Sequence, residues 1–348
     1  LKAMKRVYWI IAGLLAVAGM AACGKDHTEE SFEGFIKPGY FPEPAYHFST
    51  NTVTKEGFEL GRKLFYERLL SANNTISCGS CHIQTSAFTH HGHSVSHGIF
   101  DRMGTRNSPP VMNLAWNTSF MWDGGIFDLD LQAIAPITNH AEMDETMENV
   151  LTKLRNTPPY PSLFSAAFGS SEINTSRFLK ALSQFMLMCN STNSKYDSVM
   201  RHEAGKTFTV EEQQGYNLFR QKCNACHREP LFTDNSFRNN GIAISMVNDE
   251  GRYSVTQNPG DRYTFKVPSL RNLAYTAPYM HDGRFFTLEA VLDHYSGQVQ
   301  ATPNLDPLLQ QGGHPGIVMT AEEKNRIISF LNTLNDRSFI LDKKLSEQ

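Results

Sequence analysis

The sequence predicts a mainly α-helical protein built from two related units in tandem. Three observations support this. The pattern C-x-x-C-H occurs at residues 78–82 and again 145 positions later, at residues 223–227. Each pentad precedes a copy of a longer motif: residues 113–129 and 272–288 align without a gap and are identical at eight of seventeen positions, which indicates duplication. Strand-like alternation is scarce, whereas helix-start signals frame both pentads.

The two pentads predict two covalently bound haem c groups. In each, two thiols can add across the vinyl groups of a porphyrin while the adjoining histidine ligates the iron. The cofactor-binding residues are therefore Cys78, Cys81, His82, Cys223, Cys226 and His227. A zinc ribbon would need closely paired knuckles without a fixed trailing histidine, and a thioredoxin-like pair would need a βαβ pattern. The expected fold is two tandem cytochrome c-type haem domains, each with one haem.

An apolar stretch near the N-terminal end predicts export. Lys5 and Arg6 precede an uncharged run over residues 7–22, which is short for a membrane span and suits the core of a signal peptide. We therefore predict a signal peptide over residues 1–22. Export also suits the haems, since c-type attachment occurs outside the cytoplasm.

The end of this run is similar to the lipobox of bacterial lipoproteins. The residues Met-Ala-Ala-Cys-Gly make Cys23 the expected lipidation site, with simple cleavage after Ala22 as the alternative. The polar residues that follow, 23–46, include three prolines and predict a lipid-anchored tether. The expected location is the periplasmic side of a bacterial membrane, with the lipid as the protein's only membrane contact.

Helix signals frame each pentad. In the first unit, helical patterns run from Thr54 to Leu69 and from Thr175 to Met188. In the second unit, capping boxes at Thr209–Glu212 and Thr320–Glu323 open two amphipathic runs. One helix before the haem motif and one at the end of the domain are typical of a cytochrome c fold.

These signals give the domain bounds. We predict an N-terminal haem domain over residues 47–200, a C-terminal haem domain over residues 206–336 and a tail over residues 337–348. The boundary is expected in the polar stretch Lys195–Lys206, which contains Gly205.

Charge and cysteine content narrow the function classes. The 348-residue chain has a net charge of −3 and a pI near 6.5 without a long basic run, so nucleic acid is not an expected partner. Once four thiols are assigned to haem and Cys23 to lipid, only Cys189 remains, in an apolar helical run. We expect it to be a buried core residue, and no disulfide can form.

The repeat also predicts what faces each iron opposite its histidine. An open iron face binds peroxide, whereas a filled one favours electron transfer. Equivalent motif residues are 159 positions apart, so Pro136 corresponds to Tyr295. Proline cannot ligate, whereas a phenolate favours ferric and higher oxidation states. Tyr295 is thus the expected second ligand of the C-terminal haem iron, with His294, Met280 and Met319 as alternatives.

The sequence as a whole resembles the bacterial di-haem cytochrome c peroxidase family, including its MauG branch. The resemblance extends from Phe41 to Asp336. The family's R-N-S-P segment is Arg106–Pro109, and its F-W-D-G segment is Met121–Gly124. Its downstream glutamine and Glu-Met pair are Gln132 and Glu142–Met143.

The resemblance implies roles for these residues. The N-terminal haem would be the peroxidatic one and the C-terminal haem would receive electrons. Gln132 and Glu142 would line the peroxide pocket, and Trp122 would lie between the haems. His97, in the histidine-rich loop 89–97, matches a labile ligand of the first iron in many oxidised peroxidases.

The resemblance further implies one bound calcium ion between the haems, held by Asn107 and by backbone oxygens of Thr276 and Pro278. One departure concerns function. Typical family peroxidases have methionine where this chain has Tyr295, and MauG has tyrosine there. That difference bears on whether a small cytochrome is the natural reductant.

The leading functional prediction is a cytochrome c peroxidase that reduces hydrogen peroxide to water at the N-terminal haem. Expected electron donors are a small c-type cytochrome, a cupredoxin or another periplasmic donor, and a homodimer is one assembly that the sequence leaves open. A MauG-type enzyme that oxidises a protein or organic substrate is the first alternative. A non-enzymatic di-haem electron carrier is the second.

Overall fold

The computed structural model describes residues 32–310 and 313–348, and its mainly helical content confirms the predicted class. The α-helices of these ranges are α1 (Lys55–Phe65), α2 (Cys78–Cys81), α3 (Leu129–Gln132), α4 (Ile134–Thr138), α5 (Met147–Arg155), α6 (Tyr160–Phe168), α7 (Thr175–Met188), α8 (Lys195–Met200), α9 (Val210–Lys222), α10 (Tyr253–Thr256), α11 (Leu288–Asp293), α12 (Ala321–Asn332) and α13 (Arg337–Ile340). The short strands β1 (Phe237–Arg238) and β2 (Phe265–Lys266) pair antiparallel. A π-helical segment, His294–Gln298, follows α11 directly.

In the first unit, α1 and α7 cross in close backbone contact. Thr54 caps α1 by accepting a hydrogen bond from the Gly57 N–H at 3.0 Å, and Asn174 caps α7 in the same way. A Cβ atom at Gly61 would lie 1.9 Å from the carbonyl oxygen of Ala181. The two helices therefore approach this closely only because position 61 has no side chain.

The second unit repeats this crossing with α9 and α12. Both helices begin at the predicted capping boxes, which start at Thr209 and Thr320. A Cβ atom at Gly215 would lie 1.9 Å from the carbonyl oxygen of Arg326. The core of this unit consists of Tyr196, Phe219, Phe232, Leu273, Leu292, Ile327, Phe330, Leu331 and Leu334.

The duplicated motif has the same backbone geometry in both copies. A bridge between Phe120 and Ile126 recurs between the equivalent residues Tyr279 and Phe285. The methionines that follow, at positions 121 and 280, both have a positive φ, 68° and 75°. The alignment without a gap is thus reproduced in the fold.

The segment predicted as a tether, residues 23–46, is packed against the first unit from Gly34 onward, which corrects that prediction. Phe41 is 3% exposed, and its ring centroid lies 4.9 Å from that of Trp116. The Trp116 indole N–H donates to the carbonyl of Pro42 at 2.8 Å. The prolines suggested an extended linker, but the aromatic residues between them gain more from burial.

The predicted signal peptide and Cys23 lie outside the described residues. Across ranges 32–310 and 313–348, no helix has both the length and the apolar character to cross a membrane.

The predicted domain boundary at Lys195–Lys206 also needs correction, because α8 packs into the second core. Tyr196 belongs to that core. The carboxylate of Asp197 accepts two hydrogen bonds from the Arg271 guanidinium, at 2.7 and 2.9 Å, and both side chains are 0% exposed. A charge buried this deeply requires its partner, so α8 is held to the second unit.

The predicted tail, residues 337–348, is folded onto the first unit. Phe339 is 3% exposed, and its ring centroid lies 5.6 Å from that of Phe88. The Tyr66 hydroxyl donates to the carbonyl of Leu345 at 2.8 Å. The last residues of the chain therefore complete the core around the first pentad.

Candidate active site

A cavity of about 560 Å³ lies beside the first pentad, and Cys78, Cys81 and His82 form part of its wall. Helix α2 presents both cysteines, and burial raises the pKa of the Cys78 thiol to about 12 and that of Cys81 to about 11. Both thiols are free. Two neutral thiols and an imidazole on one wall of a cavity this large fit a covalently attached haem.

The hydrogen bonding of His82 leaves one ring nitrogen available to a metal. Its Nδ1 lies 2.8 Å from the carbonyl oxygen of Phe88. A carbonyl can only accept, so Nδ1 carries the proton and the Nε2 lone pair is free to bind iron. Burial lowers the pKa of His82, more than the carbonyl contacts raise it, and the imidazole is therefore neutral.

The second pentad has the same arrangement. Nδ1 of His227 lies 3.2 Å from the carbonyl oxygens of both Phe232 and Pro268, and burial lowers the pKa of His227. Phe88 and Phe232 both have left-handed backbone, with φ of 60° and 57°. That conformation turns each carbonyl toward its histidine.

Gln132, Pro136 and Glu142 line the same cavity as the first pentad. Gln132 ends α3, Pro136 lies in α4, and Glu142 lies in the turn that follows. The Asn139 amide donates to Glu142 Oε1 at 2.8 Å. Burial raises the pKa of Glu142, and the hydrogen bond from Asn139 opposes this only in part. The cavity thus combines an uncharged amide with a carboxyl group whose pKa is raised and which can transfer a proton.

Trp122 forms part of the cavity wall on the side of the second unit. Its indole N–H donates to the carbonyl of Asn107 at 2.8 Å, and its own carbonyl accepts from the Lys266 N–H at 2.8 Å. The carbonyl oxygen of Pro268, which follows Lys266 by two residues, contacts His227. Trp122 therefore adjoins both the first cavity and the segment that supports the second pentad's histidine.

Tyr295 lies in the π-helical segment, a conformation often found at functional sites. Burial raises the pKa of Tyr295 to about 12. The hydrogen bond from Asn240 opposes this rise only in part. Its ring packs against the small core formed by Val299, Leu305 and Leu309.

The alternative ligands on this side have other contacts. His294 Nε2 lies 3.1 Å from the Asn240 carbonyl oxygen. The Met280 sulfur accepts from the Asn240 amide at 3.6 Å, and Met319 packs against the second core. Tyr295 remains our prediction for the second iron.

His97 is not among the residues that line the first cavity. Its Nδ1 lies 3.5 Å from Asp101 Oδ1, and its Nε2 lies 3.4 Å from His93 Nδ1. The His97 carbonyl accepts from the Cys81 thiol at 3.4 Å, so the backbone touches the first pentad. Ligation of iron by His97 would require this loop to move and stays a prediction.

The residues predicted to bind calcium offer amide and carbonyl oxygens. The Asn107 amide group lies 3.3 Å from the His93 carbonyl oxygen and 3.2 Å from that of Ser94. In the part of the chain that the structure describes, no group of three or more His, Cys, Asp or Glu side chains could hold a metal ion. A calcium site at Asn107, Thr276 and Pro278 would therefore use neutral oxygens, and it stays a prediction.

Comparison with known proteins identifies the family of this chain. A family model described as di-haem cytochrome c peroxidase matches residues 55–205. The chain is 33% identical over 328 residues to the methylamine utilization protein MauG of Methylorubrum extorquens, covering 91% of this chain and 89% of that protein. This chain belongs to the di-haem cytochrome c peroxidase family.

The similar proteins include some that are named as peroxidases and others that are named as MauG. Cytochrome c551 peroxidase of Nitrosomonas europaea is 33% identical over 280 residues, covering 79% of each chain. The crystal structure of a MauG-like protein associated with microbial copper homeostasis has a TM-score of 0.79 and 33% identity, covering 89% of this chain and 97% of that one. Membership of the di-haem cytochrome c peroxidase family thus implies two haem c cofactors but does not choose between peroxidase and MauG-type activity.

Two residues at this site were not found by sequence reasoning. Asn139 and Lys266 both line the first cavity. Neither residue belongs to a sequence motif that indicates a catalytic or binding role. Only the folded structure therefore shows that they line the cavity.

Proposed function

We propose that this protein is a di-haem c-type peroxidase that reduces hydrogen peroxide to water beside Cys78, Cys81 and His82, with electrons entering through the second pentad's haem. The observation that carries the proposal is that Gln132 and Glu142 line the same cavity as these three residues. The haem, when bound there, supplies the redox-active iron. Each peroxide consumes two electrons and two protons and yields two waters.

In this proposal the chain's own groups hold peroxide and move protons. Glu142 would accept a proton from one oxygen of peroxide and return it to the departing oxygen, where negative charge develops. Gln132, which is neutral at every pH, donates a hydrogen bond that holds peroxide in place. Asn139 fixes the orientation of the Glu142 carboxyl group through its 2.8 Å hydrogen bond.

Electrons would reach the first cavity by way of Trp122. Two contacts support this route: the Trp122 carbonyl is bonded to Lys266, and Pro268 of the same segment is bonded to His227. An aromatic ring at this position shortens the gap between the two pentads.

Glu142→Gln tests the proposal. We expect peroxide turnover to fall on the order of 10²-fold or more, the usual scale for a lost general acid–base, with both haems still attached. Glu148→Gln, which replaces an exposed glutamate six residues away, is the matched control and should keep full turnover. Equal turnover of Glu142→Gln and the control would remove Glu142 from the mechanism. A wild-type protein inert to peroxide in every redox state would favour the electron-carrier alternative.

A MauG-type activity, oxidation of a protein or organic substrate by long-range electron removal, is the second candidate. Tyr295 favours it, because an anionic oxygen ligand lowers the potential of an iron centre and stabilises its higher oxidation states. In that case a small cytochrome would be a poor reductant.

Tyr295→Met separates these two activities. If Tyr295 ligates the second iron, methionine should raise that centre's reduction potential and increase turnover with a reduced small cytochrome. Tyr295→Phe keeps the ring but removes the ligand oxygen, so it controls for packing. Identical second-haem potentials in wild type and both variants would exclude Tyr295 as the ligand and return attention to His294 and Met280.

Three further features belong to the proposal. A calcium ion at Asn107, Thr276 and Pro278 would stabilise the region between the pentads, and chelator treatment followed by calcium addition tests it. Lipidation at Cys23 and a periplasmic location follow from the lipobox-like sequence, and mass analysis of the mature N-terminus tests them.

Sedimentation velocity measures the mass of the assembly and tests whether the protein is a homodimer.

A further inference from the structure

Lys266 lies in the second half of the chain, but its side chain reaches the first cavity. It is the last residue of β2, and its N–H donates to Trp122. Its ammonium group donates to the carbonyl of Ser119 at 2.7 Å and lies 5.9 Å from the ring centroid of Phe120. The side chain is part of the wall around the first pentad.

The charge of this ammonium group lacks a counterion in the described ranges. No carboxylate of residues 34–310 or 313–348 forms an ion pair with Lys266, whereas the other Arg or Lys side chain of the cavity wall, Arg106, bonds both Asp123 and Asp249 at 2.6 Å. Burial alone lowers the pKa of Lys266 to about 7. A buried cation without a partner is unstable, so an anion in the cavity would stabilise the charged form of Lys266.

A second polar group beside Lys266 also lacks a partner. The hydroxyl of Ser119, the residue whose carbonyl holds the ammonium group, is buried and has no hydrogen bond within the described part of the chain. Buried hydroxyls are nearly always hydrogen-bonded in folded proteins. An ammonium donor and a hydroxyl donor thus occur together where the described residues supply no anionic acceptor.

The anion can be identified from what else the cavity holds. Cys78, Cys81 and His82 line the same space, and a haem attached there carries two propionate carboxylates. We propose that the Lys266 ammonium group pairs with a propionate of the first haem, which makes Lys266 a positioning residue. This inference rests on the proposed attachment of haem at Cys78 and Cys81.

The pairing has a redox consequence. A positive charge near a haem favours the reduced iron, which carries one positive charge fewer, so Lys266 raises the potential of the first haem. The segment from Lys266 to Pro268 also touches Trp122 and His227. One extended segment would therefore set the first centre's potential and hold the second centre's histidine.

Redox titration of the first haem in Lys266→Met and Lys266→Arg tests this proposal. The methionine variant should have a lower first-haem potential and an unchanged second-haem potential, while arginine, which keeps the charge, should restore most of the difference. Lys180→Met is the matched control, because Lys180 is also partly buried and donates to a backbone carbonyl, that of Thr50 at 2.8 Å, but does not line the cavity. Its first-haem potential should equal that of wild type.

Equal first-haem potentials in wild type and Lys266→Met would overturn the pairing. A wild-type potential that shifts with added chloride or phosphate would also overturn it, because a free ion would then be the counterion. Mass analysis of the protein shows independently whether haem is attached at Cys78 and Cys81, which is the premise of this inference. A wild-type chain without haem at Cys78 and Cys81 refutes the proposed function, whereas a Met variant that loses only this haem while the Arg variant keeps it supports the pairing.

Discussion

At the scale of single residues, the chemistry of Glu142 depends on one neighbour. Burial raises the pKa of its carboxyl group, and the hydrogen bond from Asn139 lowers it. The carboxylate, the form that accepts a proton from peroxide, dominates only above this raised pKa. Turnover should therefore decrease as the pH falls through a value above the ordinary range for glutamate.

Asn139→Ala should move this acid limb to higher pH, because the variant loses the hydrogen bond that stabilises the carboxylate. The measurement is kcat/KM for peroxide against pH in wild type, Asn139→Ala and Glu142→Gln. In the glutamine variant the limb should be absent. An acid limb at the same pH in wild type and Asn139→Ala would contradict the role of Asn139.

At the scale of secondary structure, each unit contains a helix crossing at which a glycine meets the backbone of the partner helix. The crossings at Gly61 and Gly215 bring the helices into backbone contact. The two units differ in the segment opposite the pentad. Tyr295 lies in a π-helical segment, whereas the equivalent Pro136 lies in the short helix α4.

Gly215→Ala should destabilise the protein, although the same change inside an exposed helix stabilises it by about 1 kcal/mol. The added Cβ would meet the Arg326 carbonyl oxygen at 1.9 Å, and overpacking of this kind costs about 1–3 kcal/mol. Denaturant unfolding checks the sign. Gly39→Ala, where nothing lies within 4 Å of the new Cβ, is the control and should be close to neutral. A stabilised Gly215→Ala would show that the helices can separate without loss.

At the scale of the whole molecule, residues from both ends of the chain complete units to which they are not adjacent in sequence. Tyr40 donates to Asp197, which is bonded to Arg271 of the second unit. Near the other end, Phe339 packs on Phe88, whose carbonyl orients His82. The two units are therefore not independent modules.

Phe339→Ala should destabilise the first unit more than the second. Removal of a buried phenylalanine costs about 3–5 kcal/mol, and the cavity would lie against Phe88. Hydrogen exchange should show earlier opening around residues 82–88 than around residues 227–232. Leu341→Ala, at a side chain that is 54% exposed, is the control. Equal exchange changes in both units would contradict the assignment of the chain's end to the first unit.

The sequence by itself determined the duplication, the two pentads, the helix starts at Thr209 and Thr320, and the family resemblance. These features are local: a capping box, a C-x-x-C-H pattern or a repeat depends on residues close together along the chain. The resemblance to the family's motifs also predicted that Gln132 and Glu142 line the peroxide pocket.

Only the tertiary structure decided which distant groups share a site. It corrected the predictions of a tether and a tail, because aromatic residues in both segments are buried against the folded units. The proline and polar content of these segments does not reveal that burial. It also brought Lys266, 188 positions after Cys78 in the chain, to the wall of the same cavity. Burial and hydrogen bonding set the charge state of each site residue, and both depend on contacts between residues far apart in sequence.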